Sequence, residues 1–110
     1  MPGARRNRVQ LVIMIHDRDR DAVFYFANLG ADVSRCVSAA KQGNEIRYTD
    51  SLARAYRTLE DLHKTARPEA YEEGLLMLRG LDLARETPKT LDIFQSNIDS
   101  LIGIYLKPIL

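Results

Sequence analysis

Cysteine occurs once, at Cys36, and histidine only twice, at His16 and His63. A single cysteine excludes an intramolecular disulfide, and the natural setting for such a chain is a reducing, cytoplasmic one. Cys36 lies among Val33, Val37 and Ala40 and reads as a small buried hydrophobe rather than a nucleophile. Long apolar runs are also lacking. A run such as Leu11–Ile15 is far short of the ~20 residues that a membrane span requires, so no membrane association is expected. Asp17, Asp19 and Asp21 follow that run where a secretory signal would carry small residues. Net charge is close to zero, at +1, so the average field marks neither a nucleic-acid binder nor an enzyme for acidic substrates. Glycines are isolated, which excludes a phosphate-cradling loop.

What is present is a strong helical period. In 110 residues, 45% apolar and 28% charged, there is room for one globular domain over residues 1–110. From Tyr48, apolar side chains recur at Leu52, Ala55, Leu59, Leu62 and Ala66 in steps of three and four, the seam of a packed helix. Pro68 interrupts the seam and suits the first turn of a third helix. That helix carries Ala70, Gly74, Met77, Leu81 and Ala84 on one stripe, with Tyr71, Leu75 and Leu78 beside it. Thr87-Pro88 repeats the punctuation, threonine as cap and proline at the first helical position. Leu91, Phe94, Ile98, Leu101 and Tyr105 then line a fourth helix, which Pro108 should stop near Leu106.

The N-terminal part is less regular. Val12, Ile15, Asp19, Ala22, Phe26, Leu29, Val33, Cys36 and Ala40 keep one stripe, closed by Gly43 with Asn44 placed to cap the next helix. A continuous helix here would run roughly 50 Å, longer than its neighbours, so it either projects beyond them or breaks. If it breaks, Gly30-Ala31-Asp32 is the obvious place, glycine ending one helix and aspartate capping another. A rival takes β-branched Arg8–Ile15 as a strand, but everything after Gly43 reads helical and leaves that strand no sheet. The fold expected is an all-α, antiparallel four-helix bundle, its first helix long or broken near Gly30 to give four or five helices. Residues 1–7 are expected to form a flexible basic N-terminal arm.

Candidate chemistry is sparse. His16, Asp17, Asp19 and Asp21 carry ligand-type side chains, but Arg18 and Arg20 interleave them and no calcium-loop glycine follows. A solvated turn with local ion pairs is the expected form. Glu60 and His63 make one Glu-x-x-His pair, where a di-iron bundle needs two pairs and two further glutamates. Arg57 and His63 also fit the loose Arg-x(4–6)-His pattern of HEPN-type ribonucleases. Twelve arginines beside two histidines make one such match near expectation. A histidine phosphotransfer domain would carry a lysine and a glycine shortly after its histidine; Lys64-Thr65-Ala66-Arg67 stands here instead. No family is assigned, and no cofactor or metal is expected.

The expectation that remains is a non-enzymatic protein–protein interaction module, a helical adaptor or regulatory subunit forming a homodimer through its long first helix. Its motive is apolar surface in excess of one bundle's need. The interaction residues expected are Leu11, Met14, Phe24, Tyr25, Leu76, Ile102, Ile109 and Leu110. Two alternatives stand beside it: nucleic-acid contact through phosphate-binding Arg5, Arg6 and Arg8, and a small helical enzyme using Arg57, His63 or a metal site.

Overall fold

Helix ends fall largely where the local punctuation puts them. The computed structural model of the chain describes the backbone of residues 2–106 and the side chains of residues 21–104. Its four helices are α1 (Pro2–Lys41), α2 (Glu45–His63), α3 (Pro68–Ala84) and α4 (Pro88–Leu106). Among the described residues there is no strand, and the backbone of residues 8–15 is helical. A lone strand would leave its backbone donors and acceptors without a ladder, whereas a helix satisfies them locally.

The turn after α1 is a Schellman closure. Gly43 adopts φ 68, the left-handed conformation that a β-carbon disfavours. Its N–H donates to Ala40 O at 3.1 Å, and Asn44 N–H donates to Ala39 O at 2.9 Å. The Asn44 side chain then accepts from Arg47 N–H at 3.1 Å and opens α2. At the other end of α2, Thr65 Oγ1 donates to Leu62 O at 2.7 Å. The helix stops at His63, so Ala66, which its three-four spacing placed on the second helix, lies beyond it and is exposed. Pro68 explains the early stop, because it drives Arg67 out of the helical region, to φ −126 and ψ 76. Thr87 and Thr90 form a reciprocal cap on α4: each backbone N–H donates to the other's hydroxyl at 3.1 Å.

Of the two forms left open for the first helix, long or broken near Gly30, the structure has the long one. α1 is continuous for 40 residues, and Gly30 has another use. A β-carbon there would fall 2.7 Å from Ile102 Cδ1, so the missing side chain is what lets α4 approach α1. Asp32 is not a cap either. It is buried in mid-helix, where it accepts from Arg35 at 2.8 Å and from Thr58 Oγ1 of α2 at 3.1 Å. Both surprises have one cause. A glycine or aspartate costs a helix about 1 kcal/mol or less, which tertiary packing readily overrides.

The core draws on all four helices: Phe26, Leu29, Val33 and Cys36 from α1, Tyr48, Leu59 and Leu62 from α2, Met77, Leu78 and Leu81 from α3, and Leu91 and Ile98 from α4. α1 touches each of the other three, whereas α2 and α4 make no contact among the described residues. Polar ties mark the rim. Lys41 pairs with Asp92, Arg85 with Glu45, and Gln95 Nε2 donates to Ser34 Oγ at 2.9 Å. At 1.5 Å per residue α1 spans about 60 Å, while α2, α3 and α4, of 17–19 residues, span only about 26–29 Å.

Candidate functional site

Among the described residues, the side chains singled out in the sequence do not gather into one site. Glu60 and His63 are both exposed on α2, and His63 instead stacks on Tyr71 of α3, ring centroids 4.1 Å apart and planes 21° from parallel. Arg57 is exposed on the same helix. No group of three or more His, Cys, Asp or Glu side chains that could hold a metal exists among the described residues. His16 and its neighbouring carboxylates up to Asp19 have side chains outside the described residues. Cys36 is fully buried, its sulfur 3.9 Å from Tyr48 O, and burial pushes its thiol up to about 11. At neutral pH it is a protonated core side chain.

The surface carries more information. Phe24, Ile46, Tyr56, Leu76, Leu83, Ile93 and Ile104 are more than half exposed. Two of the interaction residues expected from sequence, Phe24 and Leu76, are therefore on the outside. Tyr25 is half-buried against the core and meets Phe24 edge-on at 5.6 Å between centroids. Ile102 is also half-buried, spent on the contact with Gly30. The side chains of Leu11, Met14, Arg5, Arg6 and Arg8 lie outside the described residues, as do Ile109 and Leu110 entirely.

Hollows border the bundle among the described residues. Between α2 and α3 a groove of about 500 Å³ is lined by Tyr48, Leu52, Tyr56, Leu78, Arg79, Asp82 and Leu83. Its floor is stiffened by Arg85, whose guanidinium sits 3.7 Å over the Tyr48 ring while pairing with Glu45. Burial raises the Tyr48 phenol, and the Arg85 charge opposes that shift. A second hollow, of about 330 Å³, is lined by Asp21 and Tyr25 of α1 and by Asp61, Lys64, Thr65 and Ala66.

Sequence reasoning missed one feature altogether. Glu69, Glu72, Leu76, Arg79 and Leu83 of α3 recur in steps of three and four, and all five are exposed. The spacing was legible, but the adjacent stripe of Ala70, Gly74, Met77 and Leu81 is more apolar and masked it. Tyr56 and Leu83 were missed for a different reason. They come from two helices, and their juxtaposition depends on how those helices are rotated about their axes.

Among the described residues no helix is long and apolar enough to cross a membrane. No protein-family model matches the chain, and neither a curated protein nor a solved structure gives a match.

Proposed function

We propose that this chain is a non-enzymatic interaction module, a small helical adaptor or regulatory subunit, that self-associates through the first half of α1. One observation carries the reading: α1 is about twice as long as any helix packed on it. At 1.5 Å per residue α1 is longer than each of the other three helices by about 30 Å. The three shorter helices are too short to shelter that length as well as the core.

That first half carries an apolar stripe. Val12 and Ile15 continue the spacing of the core stripe Ala22, Phe26 and Leu29, and Leu11, Ile13 and Met14 widen it. An apolar helical stripe is stabilised by a neighbouring helix, which a second copy of the chain would supply. The helices of the bundle are proposed to run antiparallel, supported by the short connections and by the pairing of Asp92 with Lys41, Gln95 with Ser34 and Ile102 with Gly30. A reducing cytoplasmic setting fits the lone buried thiol.

Size-exclusion chromatography with light scattering tests the reading. A protomer weighs 12.5 kDa, and the expected mass is two or more times that at concentrations of roughly 10–100 μM. Val12→Glu/Ile15→Glu should return the chain to a monomer with unchanged helical circular dichroism. A wild-type monomer throughout that range overturns the proposal.

A further inference from the structure

We infer that the solvent-facing seam of α3 is a contact for the same seam of a second copy, the two helices lying antiparallel about a twofold axis at Leu76. This contact is separate from the one proposed for α1 and stands without it.

The seam consists of Glu69, Glu72, Leu76, Arg79 and Leu83, in steps of three and four along one face of α3. All five side chains are exposed, Leu76 at 57% and Leu83 at 72%. The opposite face, with Ala70, Gly74, Met77 and Leu81, is buried in the bundle, and that fixes which way the seam points. Two leucines held in water on one helical face are stabilised when another apolar surface covers them.

The charges of the seam select the partner. Glu72 and Arg79 are seven residues apart, roughly 10 Å along the axis, too far to pair with each other. Neither has an ion-pair partner among the described residues, Asp82 one turn beyond Arg79 included. About Leu76 the seam is nearly its own mirror image. Glu69 and Leu83 lie seven residues to either side, Glu72 four before and Arg79 three after. Turned end for end with Leu76 on Leu76, the seam brings Glu72 to within about one residue of the partner's Arg79, and Arg79 likewise to the partner's Glu72. Leu83 falls level with the partner's Glu69, a residue tied to Arg67 of its own chain and flanked by exposed Pro68. A parallel pairing would instead set Glu72 on Glu72 and Arg79 on Arg79, two like-charge contacts. Charge pattern across a helical seam selects orientation in this way. Since each copy offers the other the same residues, the contact is isologous and closes at two copies.

Five side chains from each copy are fewer than the roughly 20–30 residues a side of a stable interface. Alone, the contact is therefore weak, with a Kd above roughly 100 μM, and in the whole protein it adds to association through α1.

Disulfide trapping reads this geometry whether or not α1 associates. The native Cys36 is buried, so Leu76→Cys placed in the Val12→Glu/Ile15→Glu background introduces the one accessible thiol. At roughly 0.5 mM protein and about pH 8, with oxidised glutathione as oxidant, Leu76→Cys should give a linked dimer at least about tenfold faster than Leu83→Cys. Leu83 is the more exposed of the two. The antiparallel pairing nevertheless holds its two copies roughly 21 Å apart, beyond the ~7 Å that a disulfide spans between α-carbons. Adding Glu72→Arg or Arg79→Glu should each slow trapping at residue 76 about tenfold, with helical circular dichroism retained. Mixing those two variants, or joining both substitutions in one chain, should restore it. Equal trapping at residues 76 and 83, or charge reversals without effect, overturns the inference and leaves the α1 contact standing. A wild type monomeric at 10–100 μM overturns the α1 contact alone.

Discussion

Gly74→Ala adds one methyl group where three side chains converge. Its β-carbon would stand 2.7 Å from Leu29 Cδ2, 2.9 Å from Leu59 Cδ1 and 3.3 Å from Leu62 Cδ2. Each of those atoms ends a flexible side chain, and any one alone could move aside. All three leucines are buried in the shared core of α1, α2 and α3, so a shift by one drives it into the others. Overpacking of this kind costs about 1–3 kcal/mol, and three simultaneous contacts put it in the upper half of that range. Replacing a helical glycine by alanine returns about 1 kcal/mol in backbone entropy. The net expectation is a loss of about 1–2 kcal/mol, or a fall in Tm of about 4–8 °C for a domain of this size. Gly103→Ala is the control. It is an exposed helical glycine with nothing within 4 Å of the added carbon, so only the entropic gain applies and stability should rise by about 0.5–1 kcal/mol. Urea and thermal unfolding followed by circular dichroism would read both. A Gly74→Ala variant as stable as Gly103→Ala would refute the packing of α3 against Leu29, Leu59 and Leu62.

Two further outcomes follow from buried polar chemistry. Asp32 is the acceptor for both Arg35 and Thr58, so Asp32→Ala should cost about 1–3 kcal/mol in urea unfolding and Thr58→Val about 1 kcal/mol; equal midpoints for wild type and Asp32→Ala would remove Asp32 from the account. Burial first, and the Asp32 charge second, push the Cys36 thiol from its ordinary 9.0 up to about 11, with Arg85 pulling the other way. The folded state then holds that proton more tightly than the unfolded one, so this contribution to stability is complete below about pH 9 and is lost as pH rises through about 11. Alkylation of Cys36 at about pH 8 should proceed only in denaturant, and rapid labelling of the native protein, read by mass spectrometry, would contradict its burial.

The candidate surfaces were only half legible beforehand. Phe24 and Leu76 could be placed outside because they leave the three-four stripes of their helices. Ile102 leaves its stripe too, yet it is half-buried, because Gly30 opens a slot for it on another helix. Departure from a stripe reports the angle of a side chain on its own helix. Burial also depends on which neighbour faces that angle. The His63–Tyr71 stack and the Tyr48–Arg85 contact are of the same kind, since each partner sits on a different helix.

Local chemistry decided the elements themselves. The four helices, their capping residues Asn44 and Thr87, the left-handed Gly43 and the prolines opening α3 and α4 all follow from steric and hydrogen-bonding rules that act within about one turn. The assembled structure decided that α1 runs unbroken through Gly30, one of the two forms left open, that Asp32 is buried beside Thr58, and which of two legible stripes α3 turns to solvent. Helix propensity at Gly30 and Asp32 is worth about 1 kcal/mol or less, whereas the packing of whole helices is worth several, so the smaller local preference gave way to the larger collective one.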